Sequence, residues 1–257
     1  MSREDQQSTT LSKCLMVLDL LARAKRPLTY TDIRESTGLP KSTSYRLISI
    51  LTNERLVHFD PESRAYRIGY RLLELAAQGL DGFDLRQIAA SGLRTLGKTT
   101  QESVLLAVRD GHEIVYIDRV ESTRSLRFST AVGNRAPLHC TGLGKAIMAF
   151  LGEDVRLELS RLIDFHPFTE NTITTFEALE RELAVIRARG FAIDDTEHQP
   201  DIRCVAVPIF SRQGEVVAAL SISAPSSRAD RKHLESWVPL VRDAAAQISL
   251  EMGWGGT

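Results

Sequence analysis

Two stretches of the chain carry residue types whose chemistry is specific enough to argue from. In the first, Gly38-Leu39-Pro40 leads into Lys41-Ser42-Thr43-Ser44-Tyr45-Arg46. This run sets an ammonium, a guanidinium and several hydroxyls at the start of a predicted helix, where free backbone N–H groups favour an anion such as phosphate. Arginine forks onto guanine, and Ser, Thr and Tyr hydroxyls bond phosphates or base edges. Lys41, Ser42, Thr43, Tyr45 and Arg46 are therefore candidates for contact with DNA, although a mixed polar helix start also serves as an ordinary solvated face. In the second, Thr141-Gly142-Leu143-Gly144-Lys145 places a glycine-containing loop at the opening of another helix, an arrangement friendly to anions. Ser221 and Ser223 stand two apart on a predicted strand, so their hydroxyls share a face and can orient a carboxylate or hydroxyl. Asp194 would accept from a ligand donor, and Leu126, Phe128 and Leu143 would supply an apolar wall. Plainer uses remain open: glycines that serve only a tight turn, serines that face solvent, and a Cys204 that is a small buried hydrophobe rather than a nucleophile.

The elements that position these groups follow from periodicity. Leu11 to Ala24 reads as a helix with Leu11, Leu15, Leu18 and Leu21 on one face and Val17 alongside. Thr31 to Thr37 is a second helix, with Thr31 as N-cap, Ile33 inward and Gly38 supplying positive φ at its exit. The third helix runs from about Lys41 to Glu54 and buries Leu47, Ile48 and Leu51. Leu56–Phe59 and Ala65–Ile68 alternate about Asp60-Pro61-Glu62-Ser63, a hairpin whose return strand carries Arg64 and Arg67 toward the backbone or minor groove. A Gly-containing turn between two helices, followed by a hairpin, is a winged helix-turn-helix, whose second helix enters the major groove.

Arg71 to Gly79 reads as a connecting helix broken at Asp81-Gly82, and Leu85 to Thr99 as an amphipathic helix. Beyond Glu102 the period changes. Val104–Val108, Ile114–Ile117, Leu126–Phe128, Phe191–Ile193, Cys204–Phe210 and Val216–Ser223 are expected strands. Helices are expected from Thr141 through Leu151, over Phe176–Arg189 and over Arg231–Met252. The chain is α/β overall, more closely α+β, with helices bracketing an antiparallel sheet. The expected organisation is a flexible tail over 1–10, a winged head over 11–70, a linker helix over 71–84 and a body over 85–254.

Composition narrows the class. The 257 residues suit two domains. A net charge of −1 excludes a wholly basic nucleic-acid protein. Residues 1–70 hold 11 Lys/Arg against 8 Asp/Glu, so a mildly basic head of +3 stands on a body of −4. Cys14, Cys140 and Cys204 form no CxxC or zinc spacing and read as reduced thiols. His139, His166 and His198 lack ligand spacing and read as surface or core histidines, so neither metal nor cofactor is expected. The start of the chain is polar, with no leader expected, and the longest uncharged run, Val216 to Ser227, has 12 residues, short of the roughly 18 that a membrane span needs. A cytoplasmic protein with no membrane association is expected.

With these motifs in place, the chain resembles the IclR family of bacterial transcription regulators over nearly its whole length. The resemblance is carried by Gly38-Leu39-Pro40-Lys41-Ser42-Thr43 with Arg46-Leu47; by Leu138-His139-Cys140-Thr141-Gly142-Leu143-Gly144-Lys145-Ala146; by Gly190-Phe191-Ala192 with Asp194-Asp195; by Ile202 to Phe210; and by Ala219 to Pro225. It implies a winged helix-turn-helix head, a linker helix and a GAF/PAS-like effector domain. It also implies homodimers through the heads, dimers of dimers through the bodies, and binding to palindromic operators in double-stranded DNA. The effector pocket it implies is built from Gly142, Leu143, Gly144, Asp194, Cys204, Ser221 and Ser223, and the ligand would be a small, carboxylate-bearing metabolite. A repressor is the preferred reading. Two departures stand out: the family usually has a glycine after the recognition helix, where Glu54-Arg55-Leu56 stands here, and an apolar residue in place of Ser44. Two other readings compete: a DNA-binding protein whose body only oligomerises, and an enzyme with a DNA-tethering head using Cys204 and a histidine.

Overall fold

The computed structural model describes residues 10–80, 85–125, 128 and 130–255. The chain divides into two compact units, residues 1–83 and 84–257.

The first unit opens with α1 (Thr10–Arg23), which buries Val17 and Leu21 and packs Cys14 and Leu18 beside them. Positions 14, 17, 18 and 21 form one helical stripe. Leu11 and Leu15 were expected on this face but lie outside it and are exposed. A short strand, β1 (Leu28–Thr29), precedes α2 (Tyr30–Thr37). The N-cap of α2 is Thr29, not Thr31. Its hydroxyl accepts from the Asp32 N–H at 3.2 Å, and the Asp32 carboxylate accepts from the Thr29 N–H at 2.9 Å. This reciprocal box satisfies two helix-end donors and holds the Asp32 carboxyl below the usual range, chiefly through the Thr29 N–H. Gly38 closes α2 at φ +66°. Helix α3 (Lys41–Asn53) buries Leu47, Ile48 and Leu51. Strands β2 (Val57–Asp60) and β3 (Ala65–Ile68) form the hairpin, and β3 lies between β1 and β2.

The departure after the recognition helix has a structural consequence. Arg55 adopts φ +58°, the left-handed region where a side chain is strained and glycine is not. Its carbonyl is packed against Gly69, where an added Cβ would come within 2.1 Å of the Arg55 oxygen. Helix α4 (Arg71–Leu80) follows, with Leu73 and Leu75 exposed. The expected break at Asp81-Gly82 lies outside the described residues.

The second unit is a six-stranded antiparallel sheet in the order β6-β5-β4-β9-β8-β7. The strands are β4 (Ser103–Asp110), β5 (Glu113–Val120), β6 (Arg135–Pro137), β7 (Ala192–Asp195), β8 (Ile202–Phe210) and β9 (Val216–Pro225). Successive side chains alternate between faces, and both faces are covered. On one face Val104, Leu106, Val205, Leu220 and Ile222 pack against α5 (Leu85–Thr100) and α9 (Arg231–Glu251). On the other, Leu105, Ala107, Ala206 and Ala219 meet α6 (Gly142–Met148), α7 (Glu153–Leu162) and α8 (Phe176–Arg189).

Of the expected strand at Leu126–Phe128, Leu126 and Arg127 lie outside the described residues, and Phe128 is not in a strand. The strand that pairs with β5 is β6, through Ile114↔Ala136. The helix expected through Leu151 ends at Met148, and α7 was not anticipated because its charged sequence buries little beyond Arg156 and Leu159.

Arg55→Gly should relieve the left-handed strain and raise the stability of the first unit by about 0.5–1 kcal/mol. Gly69→Ala should lower it by more than that, because its Cβ meets backbone. Urea unfolding followed by helical circular dichroism checks both.

Candidate functional site

The start of α3 is presented to solvent. Lys41, Ser42, Tyr45 and Arg46 are exposed and Thr43 is partly so. Ser44 is buried, and its hydroxyl donates to the Leu39 carbonyl at 3.3 Å. The hydroxyl that replaces the family's apolar residue thereby pins the turn rather than leaving a polar group unpaired. From α2, the Tyr30 hydroxyl donates to the Lys41 carbonyl at 2.8 Å, tying the two helices together where the exposed run begins. Sequence reading missed this residue. In the hairpin, the Asp60 carboxylate accepts from the Glu62 N–H at 3.0 Å and from the Ser63 hydroxyl at 2.6 Å, forming the turn. Arg64 follows at φ +51°, exposed at the tip, and the Arg67 guanidinium lies 5.4 Å from the centre of the exposed Tyr70 ring. The fold thus gathers the seven basic and hydroxyl side chains singled out in the sequence on the third helix and the hairpin of one unit.

The second constellation forms on the sheet. Asp194 of β7 pairs with Cys204 of β8, Cys204 with Ser223 of β9, and Ser223 with Ser103 of β4. These four residues make a row across four strands. In the next row on the same face, Ser221 stands between Ala206 and Leu105. Above them α6 begins with Thr141 as N-cap, its hydroxyl accepting from the Gly144 N–H at 3.1 Å and donating to the Pro137 carbonyl at 2.7 Å. A small cavity lies between, lined by Phe128, Gly142, Leu143, Asp194, Cys204, Ser221 and Ser223 from the sequence expectation. The Ser103 hydroxyl donates to the Phe128 carbonyl at 2.7 Å and so fixes that wall. Leu126, also expected here, lies outside the described residues.

Gly144 is not among the lining residues. Its amide is spent on Thr141, and an added Cβ would sit 2.3 Å from the Leu138 carbonyl oxygen. Gly142 is explained by close approach too: its Cβ would come within 2.5 Å of the Cys204 sulfur. Neither glycine has positive φ. The glycines therefore let α6 settle onto the sheet, and the amide of Gly144 is not free for an anion.

Six lining residues escaped sequence reading: Leu105, Tyr116, Thr141, His198, Gln199 and Ile202. Strand alternation from Ala107 could have suggested Leu105, but the turn over 196–202 gives no periodic signal. That turn is clamped from outside. Thr172 donates its hydroxyl to the Glu197 carbonyl at 2.6 Å and Thr169 to the Thr196 carbonyl at 2.7 Å.

Burial dominates the electrostatics. The Asp194 carboxyl is raised to about 7, first by burial and then by neighbouring Glu197, with Lys145 opposing. Its oxygen accepts from the Glu197 N–H at 2.8 Å. Glu197 is raised by burial and is ion-paired to the buried Lys145 ammonium. Burial also raises the Tyr116 phenol and the Cys204 thiol. Burial of this kind disfavours the thiolate, the reverse of what activates a cysteine nucleophile. The Ser221 hydroxyl is fully buried and has no hydrogen-bond partner among the described residues. A buried hydroxyl of this kind is unusual in a folded protein. His139, His166 and His198 pack against Phe165 and Phe168. Among the described residues no group of three or more His, Cys, Asp or Glu side chains is placed to hold a metal ion.

Known proteins share this arrangement. Residues 10–61 match the IclR helix-turn-helix domain and residues 77–250 the bacterial transcriptional regulator IclR C-terminal domain. The transcriptional regulator KdgR of Escherichia coli K12 is 33% identical over 252 residues, covering 97% of this chain and 96% of that protein. The transcriptional repressor IclR of the same organism is 32% identical over 249 residues, covering 96% of this chain and 91% of that one. The crystal structure of Thermotoga maritima IclR superposes with a TM-score of 0.84 at 33% identity, over 95% of this chain and 99% of that one. An IclR homolog from Microbacterium hydrocarbonoxydans, crystallised in complex with 4-hydroxybenzoate, superposes with a TM-score of 0.81 at 27% identity, over 95% and 99% of the two chains. The exposed recognition helix and the hairpin are thus those of a DNA-binding regulator, and this chain belongs to the IclR family of bacterial transcriptional regulators.

Proposed function

We propose that this regulator is a repressor released from its operator by a small carboxylate-bearing metabolite held in the sheet-face cavity. The observation that carries this reading is the buried, unpartnered Ser221 hydroxyl in a cavity shared with Ser223, Tyr116 and Asp194. The hydroxyls of the two serines and the tyrosine can donate to a carboxylate, while Leu105, Phe128 and Leu143 pack on its carbon skeleton. Support comes from relatives named as repressors, IclR and AllR, and from the homolog bound to 4-hydroxybenzoate.

Operator contact falls to Lys41, Ser42, Thr43, Tyr45 and Arg46 on the recognition helix and to Arg64 and Arg67 in the wing. Two copies would present two such helices to a palindromic site, and two dimers would associate further. The exposed Leu11, Leu15 and Met16 of α1 and Leu73 and Leu75 of α4 support a dimer, since such a surface is costly to leave in water. Among the described residues no helix is long and apolar enough to cross a membrane. A ligand shifts operator affinity only by the difference in its affinity for two arrangements of the protein.

Arg46→Ala should abolish footprinting on the operator while leaving the melting temperature unchanged, losing about 1–3 kcal/mol of discrimination if Arg46 forks onto a base. Normal footprinting would remove Arg46 from the interface. In a thermal-shift screen of small carboxylates including 4-hydroxybenzoate, a ligand at about 100 times its Kd should add roughly 2.7 kcal/mol. Ser221→Ala/Ser223→Ala should erase that gain. A gain retained by the double variant would place the ligand elsewhere.

The raised Asp194 carboxyl has a sign that can be checked. Between its unfolded value near 4 and about 7, the folded state holds a proton that the unfolded state has lost. Its contribution to stability is therefore full below the unfolded value and lost as pH rises through about 7. Asp194→Asn should flatten the decline in urea midpoint between pH 5 and pH 8, and an unchanged decline would assign it to other groups.

A further inference from the structure

A second cleft lies at the sheet edge, away from the cavity just described. β7 covers β8 only as far as Ala206, which pairs with Ala192. Beyond it the Val207–Phe210 end of β8 has no strand on that side among the described residues. The bare edge is protected. Pro208 has no N–H, and the Phe210 N–H donates to the Ser249 hydroxyl of α9 at 3.0 Å. Where a strand would continue there is an open cleft between the end of α8, β8 and α9, sharing no lining residue with the sheet-face cavity.

Its walls combine two chemistries. Phe150 stands edge-on to Phe210 with ring centres 5.3 Å apart, and Trp254 tilts against Phe210 at 4.9 Å. Around them stand Arg187, Arg189 and Arg242, and among the described residues no carboxylate side chain lines the cleft. Arg189 is paired with Glu182 at 2.9 Å. Arg187 donates one nitrogen to the Ala149 carbonyl at 3.2 Å, and Arg242 donates one to the Arg189 carbonyl at 3.0 Å. Neither is ion-paired with an acidic side chain among the described residues. Both line the same cleft: Arg187 rises from the last turn of α8, and Arg242 of α9 is bonded to the carbonyl at the end of that turn. Each carbonyl consumes one of five guanidinium donors, and a helix C-terminus supplies only about half a negative charge. Two full positive charges are thus only partly offset, and donors remain uncommitted beside a stacked aromatic wall.

We propose that this cleft is a second ligand site that takes a planar aromatic carboxylate, its ring against Phe210 and Trp254 and its carboxylate on Arg187 and Arg242. A neutral ring would leave the guanidiniums uncompensated. An inorganic anion would leave the aromatic wall uncovered. Guanidinium forks suit a carboxylate, and offset or edge-on contacts suit a flat ring. This proposal does not rest on the effector reading, because none of its residues lines the other cavity.

Trp254 reports on the site directly. The chain has two tryptophans, so Trp237→Phe leaves Trp254 as the single emitter. Titration of this full-length variant with benzoate should quench Trp254 saturably. Benzyl alcohol, with the ring and no charge, and acetate, with the charge and no ring, should bind at least about tenfold more weakly, a difference of roughly 1.4 kcal/mol. Adding Arg187→Gln and Arg242→Gln should weaken benzoate by a similar factor, while Ser221→Ala/Ser223→Ala should leave the Trp254 titration unchanged. The absence of saturable quenching would overturn the proposal, as would an unaltered midpoint in the glutamine variant. If that variant is unfolded by circular dichroism, the comparison of probes decides, and equal binding of benzyl alcohol and benzoate counts against the site. Quenching that follows protein concentration instead of benzoate would show the cleft to be a contact between copies, and would also overturn it.

Discussion

The architecture of the second unit depends on a charge pair sealed from water. Lys145, in the middle of α6, is almost wholly buried and meets the equally hidden carboxylate of Glu197 in the turn after β7. An unpaired charge at either position would cost several kcal/mol, and removal of one partner from such a pair is typically worth about 3–5 kcal/mol. The pair therefore fixes where α6 stands over the sheet. That position in turn decides that Gly142 touches the Cys204 sulfur, that Leu143 roofs the cavity, and that the Glu197 N–H lies within 2.8 Å of Asp194. Burial, and then the neighbouring Glu197 carboxylate, push Asp194 toward its neutral form, while the Lys145 ammonium opposes the shift at both carboxyls.

Against this background it is clear which features a sequence can announce. The head was legible because its signals are local: Gly38 in the turn, the Leu47–Ile48–Leu51 stripe and the Asp60 turn each act within a few residues. Ser221 and Ser223 were legible because strand alternation fixes their common face, and the IclR motifs pointed to Asp194 and Cys204. Misreadings arose where tertiary context outweighed pattern. Leu11 and Leu15 satisfy a helical spacing as well as Val17 and Leu21 do, and only packing against α2 and α3 selects the stripe through Cys14. Thr29 was passed over as a cap because β1 runs directly into α2. β6 is only three residues long and was read as a lead-in to α6. The turn carrying His198 and Gln199 has no period, and its shape comes from Thr169 and Thr172 more than 20 residues away in the chain.

The two glycine arguments also separate. Glycines in the motif around α6 suggested free amides for an anion, and the structure instead uses the missing Cβ atoms to bring a helix against backbone and sulfur. Conversely, Arg55 adopts a left-handed conformation without being a glycine, so the chain tolerates local strain between recognition helix and wing. In both places backbone geometry is held by neighbours. Gly69 against the Arg55 carbonyl and Cys204 against Gly142 are contacts in which one additional carbon would displace an element.

The row Asp194–Cys204–Ser223–Ser103 has one more implication. Because each member is locked to the next by ladder pairing, the floor of the cavity cannot widen or narrow without unzipping strands that also carry the hydrophobic core on their other face. The spacing of functional groups on that floor is quantised by the strand repeat. A descendant of this protein whose cavity had to admit a larger or smaller molecule would keep the grid and change what stands on its points, or remodel the turn around Gln199, whose length no ladder dictates.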